Sequence, residues 1–278
     1  MVVAAKRHMN LKTTAEAEEE VKTILTQSPQ DFGHETNLWS IQTIQKTIHW
    51  LQECTKAGAW QILRRLGFSR QKALSFIRSP DPFFKLKVRR IKQSFSHALL
   101  HPEQAVMLFQ DEMSFEQQPE PATTWGATGE ATPQVIRQPT GNKLTRVGGA
   151  MNGVTGQLFY DIGDKFGVKK MCQLYHTLRD QYQQPYLYVV QDNWPSVHKH
   201  ASVLQVAREL KITPLFLPTY ASWLNPIEKL WRWLRADVLY NHNLAHSLSL
   251  LRQQVCDFLD KFSDESYDLL YYVGLYPD

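Results

Sequence analysis

The chain has 278 residues, of which 43% are hydrophobic, so it is long enough to bury a sizeable core. Its three cysteines, Cys54, Cys172 and Cys256, lie far apart and form no CxxC pair, which excludes a disulfide framework and favours a reducing compartment. The apolar runs are strand-sized and residues 1–10 lack a signal-peptide core, so we expect a soluble cytoplasmic protein with no membrane partner.

The net charge of +4 conceals an uneven distribution. Residues 1–100 hold 16 basic and 8 acidic residues, a net of +8, whereas residues 101–278 hold 15 and 19, a net of −4. Between Lys56 and Lys92 there are 11 basic residues and one acid, Asp81. This density favours a phosphate-binding surface, with a solvated helical face as the alternative.

The N-terminal third predicts a small helical module. Residues 1–28 are expected to be a polar lead-in with an acidic helical patch. Ser40 can cap a helix with apolar positions 41, 44, 48 and 51, and a second helix at about residues 58–66 ends at Gly67. Two short helices with a basic cluster predict a helix-turn-helix in residues 29–80, and another kind of helical hairpin is the alternative. The candidate DNA-binding residues here are Arg64, Arg65, Arg70 and Lys72.

A basic segment follows this module. Ser79 to Pro82 breaks the chain, and residues 81–100 then resume helical spacing. We predict a linker helix that lies along a phosphate backbone. Its candidate phosphate contacts are Lys85, Lys87, Arg89 and Arg90.

The rest of the chain predicts an α/β domain. Strands are expected at residues 105–110, about 125–127, 147–151, 158–162, 187–191 and 213–217, and helices at about residues 169–182, 200–210 and 226–240. This order predicts a mixed sheet flanked by helices over residues 101–240. Residues 241–278 form a helical extension whose apolar stripe is expected to pack on the core, with dimer contacts as the alternative.

Three acids stand at positions suited to metal binding. Asp111 and Asp192 each follow an apolar strand, and Glu228 lies in the first turn of a helix behind Pro226. Three grouped carboxylates repel each other by about 4 kcal/mol per close pair, which bound cations remove. Oxygen ligands select Mg²⁺ or Mn²⁺, and two such ions suit phosphodiester chemistry.

Each of these acids also has a local interpretation. Asp192 can form an Asx turn, Glu228 can complement the helix dipole, and Glu112 competes with Asp111 as the relevant carboxylate. Nearby aromatic residues are equally ambiguous: Trp231 is expected in the core, and Trp223 can be core or a stacking surface for bases.

Three blocks of sequence carry a family resemblance. They are QDE at residues 110–112, QDNWPSVH at residues 191–198 and LPTYASWLNPIEKLW at residues 217–231. These blocks resemble the acidic motifs of DDE transposases, and they are most similar to the bacterial insertion-sequence family six-thirty, which is related to the mariner-like transposases. The resemblance covers about residues 29–240.

The resemblance implies an RNase H-like catalytic domain that binds two Mg²⁺ ions, with Mn²⁺ as a substitute. Such a protein cuts double-stranded DNA at transposon terminal inverted repeats and joins the 3′ hydroxyl to target DNA, usually TA, as a homodimer on DNA. By motif, Asp111, Asp192 and Glu228 are the catalytic, metal-binding residues. Neighbours that orient these acids or contact DNA are Asn193, His198 and Asn225.

The chain departs from the family pattern in two ways. The 35 residues between Asp192 and Glu228 are one more than usual. Only one helix-turn-helix is evident where the family commonly has two, as expected for a truncated or frameshifted product. Two alternatives remain: a non-catalytic DNA-binding regulator derived from a transposase, and an RNase H-like nuclease acting on RNA:DNA hybrids.

Overall fold

The computed structural model describes residues 14–71, 79–126, 133–139 and 141–276. The chain divides into two compact units, Met1–Ser75 and Phe76–Asp278. In the described ranges no helix has both the length and the apolar character needed to cross a bilayer.

The first unit is helical. It contains α1 (Thr14–Leu25), α2 (Ile41–Thr47) and α3 (Lys56–Arg65). Ser40 caps α2 as predicted, because its side chain accepts a hydrogen bond from the Thr43 amide at 3.1 Å. The acidic helical patch predicted within the polar lead-in, residues 1–28, is present as α1. Its Ala17 and Val21 side chains are buried in the core of the unit, which the sequence does not predict.

The helix predicted after Ser40 is shorter than its apolar spacing suggests. The α-helix ends at Thr47 and a 3₁₀ turn, His49–Leu51, follows. Ile48 and Leu51 are nevertheless fully buried. The apolar period therefore identifies the buried side chains correctly, although the backbone changes its winding between them.

Two of the candidate DNA-binding residues, Arg64 and Arg65, lie in the last turn of α3, and Arg70 follows the helix. The Arg64 guanidinium lies 5.9 Å from the ring centre of Trp60, whose side chain is 54% exposed. Arg65 and Arg70 are also exposed. Lys72 lies outside the described residues.

The second unit is built on a five-stranded mixed sheet, as predicted. Its helices are α4 (Phe84–Leu100), α5 (Val168–Gln181), α6 (Ala201–Glu209), α7 (Ile227–Leu234), α8 (Leu248–Leu259) and α9 (Tyr267–Val273). Its strands are β1 (Ala105–Glu116), β2 (Leu144–Asn152), β3 (Leu158–Gly163), β4 (Tyr186–Gln191) and β5 (Ile212–Phe216). The sheet order is β3-β2-β1-β4-β5, in which β2 pairs antiparallel with β1 and β3, and β4 pairs parallel with β1 and β5.

Helices cover both faces of this sheet. Met107 and Phe109 of β1 point to a core shared with α4, α7, α8 and α9, whereas Val106 and Leu108 point to a core shared with α5 and α6. The predicted linker helix α4 therefore packs on the sheet, with Ala98 fully buried. The apolar stripe of α8 joins the same core, as expected.

Two strand predictions need correction. The sequence ends the first strand at Gln110, but β1 continues six residues further to Glu116 because it remains paired with β2. Asp111 therefore lies within a strand and not at its end. The strand expected at about residues 125–127 is wrong where it can be judged, since Trp125 and Gly126 have irregular backbone, and Ala127 lies outside the described residues.

Candidate active site

Asp111 and Asp192 lie at the same end of the pairing between β1 and β4. The recorded register ends at Phe109 and Val190, and each acid is two residues beyond that pair. Strand alternation places Asp111 on the face of Phe109, which is the face that α7 covers. The candidate site lies where β4 ends. Beyond this point, among the described residues, β1 remains paired with β2 alone.

Glu228 reaches this pair from the first turn of α7. Asn225, which is 3% exposed, donates a hydrogen bond from Nδ2 to the carbonyl oxygen of Gln110 at 2.9 Å. This bond ties the start of α7 to β1 at the residue that precedes Asp111. The charge of Glu228 acts on Asp111, and the charge of Asp192 acts on Glu228, so the third carboxylate is close to both of the others.

The electrostatics of these acids indicate that Asp111 lies close to other negative charges. Burial raises the pKa of Asp111 well above its usual range, and the nearby charges of Glu228 and Glu112 raise it further. Burial also raises the pKa of Glu228, and Asp192 adds to this rise while Arg232 opposes it. The partly buried Asp111 carboxylate therefore resists ionisation beside Glu228 and Glu112, and a cation among these acids would remove the penalty.

Asp192 behaves differently because a histidine holds it. Burial acts to raise its pKa, but hydrogen bonds from His198 and from the Trp194 amide outweigh this, so the pKa is lowered. His198 Nδ1 lies 2.5 Å from Asp192 Oδ1, and the Trp194 amide donates to the same oxygen at 2.9 Å. The second bond is the predicted Asx turn. Neither bond uses the other oxygen of the carboxylate.

Glu112 supports His198 from the opposite face of the sheet. Its Oε1 accepts from His198 Nε2 at 2.8 Å and from Gln110 Nε2 at 2.9 Å. His198 is completely buried. Burial acts to lower its pKa, but bonds to Asp192 and Glu112 outweigh this and raise the pKa to about 10. The imidazolium thus joins Glu112 and Asp192, a role for Glu112 that the sequence does not reveal.

The remaining predicted site residues have structural contacts close to the acids. Asn193 donates from Nδ2 to the Leu217 carbonyl at 2.5 Å, which links the end of β4 to the segment that follows β5. The buried amide oxygens of Asn193, Asn225 and Gln110 accept no hydrogen bond from the described residues. Each of these residues is adjacent in sequence to one of the acidic positions or lies within three residues of it.

The donor chemistry of these residues suits hard divalent cations. Within the described ranges, no three His, Cys, Asp or Glu side chains are already arranged to hold a metal ion. The donors that the three acids offer are all oxygens, and the charges of Glu228 and Glu112 raise the pKa of Asp111 beyond the effect of burial. Carboxylate oxygens of this kind suit Mg²⁺ or Mn²⁺.

The structure distinguishes among the basic residues of α4. Lys85, Arg89 and Arg90 are exposed. The Lys87 ammonium instead lies 2.8 Å from Asp81 Oδ2, and this carboxylate also accepts from the Thr219 amide at 3.0 Å. Lys87 therefore ties the start of α4 to the segment before α7, a structural contact that the sequence does not predict.

The fold and site together define an RNase H-like nuclease domain with an acidic triad candidate at one end of its sheet. Sequence comparison matches residues 106–251 to the DDE superfamily endonuclease family. The chain belongs to this family and is similar to transposases of the IS630/mariner type. A 39 kDa protein of insertion element IS630 from Shigella sonnei is 23% identical over 239 residues, covering 84% of this chain and 67% of that protein.

Solved structures of Mos1 transposase share the fold. The pre-cleavage Mos1 transpososome matches with a TM-score of 0.64 at 15% identity, covering 93% of this chain and 74% of that chain. The Mos1 paired-end complex with the left transposon end matches with a TM-score of 0.59 at the same identity and coverage. A Mos1 paired-end complex with Mg matches with a TM-score of 0.60 at 16% identity, covering 92% and 75%.

Proposed function

We propose that this transposase cuts DNA at the ends of its own element and joins the freed 3′ hydroxyl to target DNA, with TA as the target sequence. The observation that supports the proposal is the position of Glu228, whose charge acts on Asp111 and which is itself affected by the charge of Asp192. The family supplies the reaction class, and the site supplies the residues.

Asp111, Asp192 and Glu228 would hold two divalent cations, Mg²⁺ or Mn²⁺. When bound, such ions activate the attacking oxygen and stabilise the negative charge of the leaving oxygen. In the first step water attacks phosphorus and releases a 3′ hydroxyl. In the second step that hydroxyl attacks a target phosphate, so that one P–O bond forms as another breaks. His198 fixes Asp192 throughout, and Asn225 fixes the start of the helix that carries Glu228.

Double-stranded DNA is the proposed partner. The exposed basic residues are suited to phosphate contacts, and Trp60 beside Arg64 offers an additional stacking surface on α3. Mos1 transposase, which shares the fold, has been captured in paired-end complexes with a transposon end and with Mg or Mn. By analogy we propose that two copies of this chain act together on paired ends. The proposed DNA contacts are Arg64, Arg65, Arg70, Lys72, Lys85, Arg89 and Arg90.

The test uses a supercoiled plasmid that carries the DNA flanking the gene. We expect Mg²⁺-dependent nicking that EDTA abolishes. Asp192→Asn should lower the nicking rate at least about 1,000-fold, equivalent to about 4 kcal/mol, while leaving DNA binding nearly unchanged. Asp180→Asn, at an exposed position of α5, is the control and should nick at the normal rate.

The outcomes separate the proposal from its rivals. Nicking that survives Asp192→Asn would remove this residue from the mechanism. A protein that binds the plasmid without nicking it would be a regulator. A marked preference for RNA:DNA hybrids over duplex DNA would indicate an RNase H-like nuclease.

A further inference from the structure

The indole ring of Trp231 lies directly over the strand that pairs with the active-site strand. Gly149 of β2 is opposite Asp111 of β1, and opposite residues of an antiparallel pair share a face. A Cβ atom added at Gly149 would come within 2.8 Å of Trp231 Cη2. The absence of a side chain at Gly149 therefore lets the ring lie against the sheet beside Asp111.

In this position Trp231 donates a hydrogen bond to Asp111. Its Nε1 lies 3.0 Å from Asp111 Oδ2, and the indole is 3% exposed. The indole N–H is a donor only, so it can serve the carboxylate but cannot accept a proton from it.

Trp231 also couples two of the acids. It lies three residues after Glu228 on α7, so both side chains are on the same side of the helix. One helix thus delivers a carboxylate to the site and a donor to a second carboxylate on the sheet. Any movement of α7 would therefore shift both Glu228 and the indole N–H that bonds Asp111.

We propose that Trp231 is a positioning residue of the metal site, whose indole N–H holds Asp111 in the orientation that binds a cation. This proposal rests on the proposed function, because it assigns Asp111 to metal binding. Residues that orient metal ligands commonly change metal affinity about 10–100-fold when they are replaced.

The same helix contains a matched control. Trp233 also donates from Nε1 to a carboxylate, Asp237 Oδ2, at 2.9 Å. Its ring stacks on Tyr272 with 4.3 Å between ring centres, and Asp237 is exposed. Trp233→Phe and Trp231→Phe therefore remove the same atom group from the same helix, but only Trp231→Phe removes it from the candidate metal site.

The experiment measures Mn²⁺ binding to the full chain by the EPR signal of the free ion, together with the nicking rate as a function of Mn²⁺ concentration. We expect Trp231→Phe to raise the Mn²⁺ Kd about 10-fold, and we expect a high Mn²⁺ concentration to restore part of the nicking rate. Trp233→Phe should leave the Kd within about twofold of the unmodified protein, as expected for a bond outside the site.

A second substitution keeps the test decisive if Trp231→Phe folds poorly. Placing 3-benzothienylalanine at position 231 retains the size of the indole but replaces its N–H with sulfur. A Kd unchanged by this substitution would overturn the positioning role of Trp231. If the unmodified protein neither binds Mn²⁺ nor nicks DNA, the proposed function itself fails, and this outcome is distinguishable from the first.

Discussion

Adjacent glycines in β2 allow stability and metal binding to be separated by two similar substitutions. Gly148 and Gly149 pair with Glu112 and Asp111, so their missing side chains face opposite sides of the sheet. A Cβ at Gly148 would come within 2.0 Å of the Phe166 ring, whereas a Cβ at Gly149 would come within 2.8 Å of Trp231. We predict that Gly148→Ala mainly costs stability and that Gly149→Ala mainly costs metal affinity.

The expected magnitudes follow from how far each ring must move. Carbon atoms in favourable contact are about 3.5–4.0 Å apart, so Phe166 must shift by about 1.5 Å or more and Trp231 by about 0.7 Å or more. Phe166 precedes α5 and can swing outward, which limits the loss to about 3 kcal/mol, the value of burying such a side chain. A strand glycine is itself unfavourable by about 0.5–1 kcal/mol, which offsets part of the strain in both variants.

For Trp231 the same shift has a functional consequence. A displacement of about 0.7 Å away from the sheet can lengthen its 3.0 Å bond to Asp111 beyond about 3.5 Å, where little hydrogen bonding remains. We therefore expect Gly149→Ala to lose about 1 kcal/mol of stability and to raise the Mn²⁺ Kd about 10-fold. Gly148→Ala should lose about 2–3 kcal/mol and retain the Kd within about threefold.

Urea denaturation gives the free energy of unfolding of each variant, and EPR titration gives the Mn²⁺ Kd at a temperature where both variants are fully folded. Gly148→Ala should lower stability more than metal affinity, and Gly149→Ala should do the reverse. If the Kd rises in proportion to the loss of stability in both variants, the ring of Trp231 has no specific connection to the metal site and the explanation is refuted.

Two further predictions concern Glu112 and the αL residue Asn241. Glu112→Gln keeps an acceptor for His198 but removes a negative charge. We therefore expect the free energy of unfolding, measured in urea, to fall by about 1–2 kcal/mol and the nicking rate to fall less than tenfold. A fall in nicking rate as large as that of Asp192→Asn would make Glu112 a metal ligand. The side-chain amide of Asn241 accepts a hydrogen bond from the backbone N–H of Ala122 and donates one to its carbonyl, and the Asn241 backbone has φ 51°. Asn241→Ala should lower the free energy of unfolding, measured in urea, by about 2–3 kcal/mol, and Asn241→Gly by about 1 kcal/mol less, because glycine adopts positive φ without strain. Equal losses in the two variants would contradict this contribution of the backbone conformation.

The sequence identifies the elements of the second unit well because its strands and helices follow clear periods. The choice between Asp111 and Glu112 is harder, since residues 105–110 are all buried and a continuous apolar run does not reveal which face a helix covers. Only the packing of α7 on the face of Met107 and Phe109 makes Asp111 the residue that meets Glu228. This information resides in contacts more than 100 residues apart in the chain.

The end of β1 shows a different limit. Polar residues begin at Gln110, and polarity ordinarily predicts the end of a strand. Here the strand continues because β2 still pairs with it, although β4 has ended. A carboxylate can therefore lie inside a strand and remain accessible, because the neighbouring strand on one side is shorter. The residues of β1 alone do not reveal that β4 ends before it, so they do not reveal that Asp111 lies within a strand.

The local interpretations of the acidic site turn out to describe how it is built. The Asx turn at Asp192 forms, and the same bond fixes the carboxylate that His198 also holds. Trp231 is buried core, as expected, and its burial is what keeps its N–H directed at Asp111. A structural explanation for a polar residue therefore does not count against a functional one. In a site that must hold repelling carboxylates, the contacts that satisfy each residue locally are the contacts that position it for chemistry.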